Sequence, residues 1–182
     1  MKKIAMMITS ITLVAALAIG GTLAWLTAKT DTVTNTFTLG NIQIKLDETT
    51  GNTYKMSPGA KITKDPKVTV NAGSEECYLF VKVEEGRDLQ SYIEYEVAEG
   101  WTALEGNAGV YYRKVNAAAA DVDFAVLKDN KVSVKDTVTG MPDNAEVSLK
   151  FTAYAIQTDN IKNVNTAWEN LNAAPSTPDS GE

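Results

Sequence analysis

Residues 147–155 read Val147-Ser148-Leu149-Lys150-Phe151-Thr152-Ala153-Tyr154-Ala155. Val147, Leu149, Phe151, Ala153 and Ala155 fall on one side of an extended chain, and Ser148, Lys150, Thr152 and Tyr154 on the other. Apolar residues at every second position predict a strand with one face in a core. The same period recurs outward from it. Ile42, Ile44 and Leu46 alternate with Gln43 and Lys45, and Val68 and Val70 with Lys67 and Thr69. Cys77–Val83 and Val110–Val115 read as strands, Ile93, Tyr95 and Val97 alternate with Glu94 and Glu96, and Phe124–Leu127 and Val132–Val134 read as two short strands. Turn signals separate them: Asp47–Asn52, Pro58-Gly59, Asn71–Ser74 and Met141–Asn144. Short strands at this spacing predict an all-β fold, a jelly-roll-like antiparallel β-sandwich.

One segment departs from period two. Ile161, Val164, Trp168 and Leu171 are spaced three, four and three apart, which places them on one helical face. A short C-terminal helix over Val164–Leu171 is expected, packing Trp168 onto the sandwich. Residues 173–182 are small and polar with Pro175 and Pro178, and read as a disordered tail.

The N-terminus has its own grammar. Lys2 and Lys3 precede an apolar stretch from Ile4 to Ile19, then Gly20-Gly21-Thr22-Leu23-Ala24. Charge, apolar stretch and small-residue site in that order predict a secretory signal over residues 1–24, cut between Ala24 and Trp25. The competing reading is a retained membrane anchor; against it, the stretch is short for a span of about 20 residues. Cleavage removes two lysines and no acid, so the net charge of −6 becomes −8. That balance argues against nucleic acid and, after cleavage, against adhesion to anionic lipid, since both need clustered Lys and Arg. Cys77 is the one cysteine, so no intramolecular disulfide forms.

Catalytic motifs are scarce. The 182 residues include no histidine, which removes HExxH zinc sites, Ser-His-Asp triads and Cys-His dyads. No cofactor is expected. Carboxylates close in sequence, such as Glu84-Glu85 or Asp121 with Asp123, are candidates for glycoside hydrolysis, and Asp121 and Asp123 for calcium. A solvated acidic face is the plainer explanation of both. The three tryptophans and seven tyrosines allow a sugar-binding surface, or a core.

The junction and first strands carry a signature. Gly20-Gly21-Thr22-Leu23-Ala24-Trp25 runs into Val33-Thr34-Asn35-Thr36-Phe37-Thr38-Leu39-Gly40-Asn41-Ile42. Ile62-Thr63-Lys64-Asp65-Pro66, Val68–Ser74, Tyr78–Val83, Phe151–Gln157 and Ala167-Trp168 follow in order. This series resembles the camelysin and TasA-like family of Gram-positive bacteria. The resemblance implies export through a SipW-type signal peptidase and a place at the cell surface or in a biofilm matrix. It also implies fibre assembly by donor-strand exchange, in which one subunit's N-terminal segment completes the next subunit's sheet. Self is then the expected partner, and Val33, Asn35, Phe37 and Leu39 are the candidate self-assembly positions. The same segment pairing within its own domain is the alternative. The expected organisation is therefore 1–24 signal, 25–39 N-terminal strand and candidate donor, 40–172 sandwich, 173–182 tail. The family also lends a metal-dependent endopeptidase label, which no imidazole here supports. A monomeric surface module that binds sugar or a host protein is the third reading.

Overall fold

The computed structural model describes residues 27–29, 41–51 and 54–173. The expected cleavage site at Ala24 and Trp25, the positions Val33, Asn35, Phe37 and Leu39, and the end of the tail lie outside these residues. Eleven strands follow in chain order: β1 Thr27–Lys29, β2 Ile44–Asp47, β3 Lys61–Thr63, β4 Lys67–Val70, β5 Cys77–Glu85, β6 Ile93–Glu94, β7 Thr102–Ala103, β8 Val110–Val115, β9 Val122–Ala125, β10 Lys131–Val134 and β11 Leu149–Gln157. A single-turn helix α1, Leu89–Tyr92, precedes β6, and helix α2, Val164–Ala173, closes the described chain.

All strand pairs are antiparallel. They form a five-stranded sheet β1-β11-β5-β8-β7 and two three-stranded sheets, β2-β4-β9 and β3-β10-β6. The expected all-β sandwich is thus present, with one layer divided in two. β5 and β11 pair along their full length, setting Phe151 opposite Val83, Ala153 opposite Val81 and Ala155 opposite Leu79. Directly opposed residues share a face. Cys77, Leu79, Val81, Phe151, Ala153 and Ala155 therefore present one apolar surface, each 3% exposed or less. Against it lie Ile44 and Leu46 of β2, Val68 and Val70 of β4, and Val132 and Val134 of β10.

The other face of the same sheet is also covered. Phe80, Leu104, Val110 and Ile156 meet Ala167 and Trp168 in a second cluster. The Trp168 ring lies 5.2 Å from that of Phe80 and stands edge-on to Tyr154 at 5.3 Å. Val164 and Leu171 pack around it from the helix as their spacing implies, while Ile161 joins them from the loop ahead of the helix. Asn163 Oδ1 accepts the Thr166 amide at 2.9 Å and caps the helix start. The helix runs two residues past the expected Leu171, to Ala173.

Several strands are shorter or shifted from their periodicity. Of Ile93–Val97, only Ile93–Glu94 is a strand; Val97 makes a lone bridge to Leu127. The expected strand over Phe124–Leu127 is Val122–Ala125, because β4 pairs Val68 with Phe124 and Val70 with Val122. β11 begins at Leu149 rather than Val147. There the β5 chain turns away at Gly86, where a Cβ would lie 2.4 Å from the Glu146 carbonyl. The Gly86 amide still reaches the Ser148 carbonyl at 2.7 Å.

Trp168→Ala is expected to lower the unfolding free energy in urea by about 3–5 kcal/mol, the cost of emptying a large aromatic site. The far-ultraviolet β signal should persist below the transition, since the main core does not include this ring. A loss under about 1 kcal/mol would contradict the packing described.

Candidate functional site

β11 is bordered on one side by β5 throughout, and on the other Tyr154, Ala155 and Ile156 pair with β1. Leu149–Thr152 has no strand partner on that edge among the described residues. Beside it opens a groove of about 860 Å³. Its walls are Val147–Phe151 on one side and Leu46, Asp47 and Glu48 on the other. Met56, Ile62, Leu89, Ile93 and Val132 line it further in, and Met141 and Ala145 come from the loop ahead of β11. Met141 is 49% exposed, a large apolar side chain left in solvent at the rim. That loop is clamped: Arg87 Nη2 donates to the Asn144 carbonyl at 3.2 Å, and the Glu146 amide to Asp88 Oδ2 at 2.9 Å.

One end of the groove is polar. Lys64, only 8% exposed, donates to Glu48 Oε1 at 2.6 Å, with its ammonium 5.3 Å from the Tyr54 ring centre and 5.5 Å from that of Phe151. A buried lysine is tolerated when it is both paired and faced by rings. Tyr54 donates to the same Glu48 oxygen at 3.0 Å. The loop after β2 is gathered by Asp65, which accepts the Thr49 and Thr50 amides at 3.0 Å each, the Thr50 hydroxyl at 2.8 Å, and the Thr49 hydroxyl. These bonds, the Thr49 hydroxyl first, hold the Asp65 carboxyl down at about 2.

The carboxylates singled out in sequence are not brought together. Glu84 pairs with Lys82 at 2.9 Å, while Glu85 accepts from Tyr95 and Gln90. Asp121 accepts the Ala72 amide at 2.8 Å. Asp123 pairs with Lys67 at 2.7 Å and accepts the Thr69 hydroxyl at 2.6 Å; the lysine, then the threonine, lower its carboxyl below the ordinary range. Cys77 is fully buried, and burial pushes its thiol up to about 12. The groove itself went unseen in the sequence. Its polar end lies in Lys64-Asp65, which had been read only as part of a family pattern. The one visible cue was apolar Met141 in a turn.

Residues 1–84 match the family model described as camelysin metallo-endopeptidase. No curated protein and no solved structure matches the chain. The metal that this description implies does not fit the donors present. The sequence has no histidine, its one thiol is buried and protonated, and among the described residues no group of three or more Cys, Asp or Glu side chains is placed to hold an ion.

Two expectations follow from the titrating groups. A depressed carboxyl contributes stability above its ordinary value of 3.8 that is lost as pH falls toward about 2. Asp65→Asn should cost about 1 kcal/mol at neutral pH, as for a lost capping carboxylate, and should flatten the acid limb of the stability–pH curve. An unchanged acid limb would contradict the role given to Asp65. Cys77 should resist a disulfide reagent at pH 7.5 in the folded protein and react at once in denaturant; rapid labelling of the folded form would show that the thiol is accessible.

Proposed function

We propose that this chain, whose residues 1–84 match the camelysin metallo-endopeptidase family model, is an extracellular structural protein that assembles with copies of itself. In this reading residues 1–24 direct export and are removed after Ala24, and the product joins a cell-surface or biofilm matrix. The acceptor is the edge of β11 over Leu149–Thr152 together with the groove beside it. The occupant is the segment Val33–Leu39 of a second copy.

The observation that supports this is that Leu149–Thr152 has no strand partner on that edge among the described residues. An added strand takes its affinity from main-chain hydrogen bonds and its register from alternate side chains. β1 already adds to the adjoining stretch of the same edge. Extended without a break, the β1 register would set Thr32 and Thr34 opposite Phe151 and Leu149, and Val33 opposite Lys150. Val33, Phe37 and Leu39 reach the groove side only after a one-residue change of register. A strand arriving from another copy is free to choose that register.

A protein starting at Trp25 should form filaments or ladders in negative stain. Phe37→Asp should leave monomers with an unchanged melting temperature. A peptide of residues 30–40 added in excess should shorten the filaments. Equal filaments from Phe37→Asp would overturn the donor assignment. Hydrolysis of casein that stops on adding a chelator would instead favour the endopeptidase reading.

A further inference from the structure

A second cleft adjoins the groove at Ile93, where the five-stranded sheet parts from β6 and β10. It has a volume of about 390 Å³, and Glu85, Gln90, Tyr95, Tyr111 and Lys135 are among its walls. They come from five separate places: the end of β5, α1, the residue after β6, the second residue of β8 and the residue after β10.

Their polar atoms are already set by one another. Tyr95 donates to Glu85 Oε1 at 2.6 Å, and Gln90 Nε2 to Glu85 Oε2 at 2.8 Å. Lys135 Nζ donates to the Gln90 carbonyl at 2.7 Å and stands 3.8 Å from Glu94 Oε1. Burial first, then Glu85, raise the Tyr95 phenol, so it stays a donor across the physiological range. The carboxylate oxygens keep further acceptor capacity, the lysine keeps further donors, and Gln90 offers both. Hydrogen-bonding groups of both kinds thus surround two half-buried rings in one cleft. Two residues along the same strand, Arg113 lies 4.0 Å from the Phe124 ring centre and 5.2 Å from that of Trp101.

We infer that this cleft binds a neutral sugar unit of an extracellular glycan, with Tyr111 and Tyr95 against the ring and Glu85, Gln90 and Lys135 on its hydroxyls. Sugars present apolar C–H faces and a rim of hydroxyls that both donate and accept, which is the chemistry this cleft offers. A volume of about 390 Å³ holds about one or two rings. Glu85 and Glu94 outweigh Lys135, so uronic acids and other anionic sugars are disfavoured. The inference does not depend on self-assembly, because β11 contributes no residue to the cleft and Ile93 is the one wall residue that it shares with the groove.

The test is calorimetric titration of the full chain with cellotriose, with the trimer of N-acetylglucosamine, and with the galacturonic acid trimer as the anionic control. Binding of a neutral trimer is expected, together with an affinity loss of about tenfold in Glu85→Gln and in Gln90→Ala. Both residues are exposed, and melting temperatures of the variants check that the fold is kept. No heat from either neutral trimer at millimolar concentration would overturn the inference. So would unchanged affinity in both folded variants, or preference for the galacturonic acid trimer.

Discussion

The β5–β11 pairing is the constraint on which the rest of the molecule depends. Two nine-residue strands lie side by side, and both of their faces are covered. On one face, Ala153 and Ala155 are small enough for β2 to pack across from β11. On the other, Phe80 and Tyr154 make the seat for Trp168. A one-residue slip between these strands would exchange the two faces. Aromatic rings would then enter the alanine layer, and alanines would face the helix. Register at this one pair therefore fixes both cores together.

The same pairing creates the open edge. Because β5 takes one side of β11, the other side is left for β1, which pairs with Tyr154–Ile156, and among the described residues Leu149–Thr152 has no strand partner there. The second layer is divided into two small sheets, and the gap between them and β11 becomes the groove. The opposite flank is treated differently. There Arg113 sits between Trp101 and Phe124, and Trp101 Nε1 donates to the Ala125 carbonyl at 2.8 Å, tying β9 to the five-stranded sheet. Gly100 keeps this flank tight: its φ of +85° favours glycine, and a Cβ there would stand 2.6 Å from the Arg113 guanidinium and push it aside. One flank is thus sealed by stacked side chains, while on the other Leu149–Thr152 has no strand partner among the described residues.

Legibility followed the length of the pattern. β11 and β5 were readable because alternation persists over many residues, and α2 because four apolar residues hold helical spacing. β3, β6 and β7 have two or three residues each, too few for a period to show. They exist because longer neighbours offer them an edge. The groove and the cleft were invisible for another reason. Lys64 and Phe151, or Glu85 and Tyr111, meet only after the sheets close, and nothing local marks them. Asp121 and Asp123 illustrate the converse. They are close in sequence and look like a ligand pair, yet in the fold one caps a turn and the other pairs with Lys67.

The most direct measurement is hydrogen–deuterium exchange over residues 148–152, comparing dispersed and assembled protein. The account predicts fast exchange in the monomer on the open edge of β11 and marked slowing on assembly, with residues 77–85 protected in both states. Assembly that left 148–152 exchanging at the monomer rate would place the contact elsewhere and contradict strand addition at this edge.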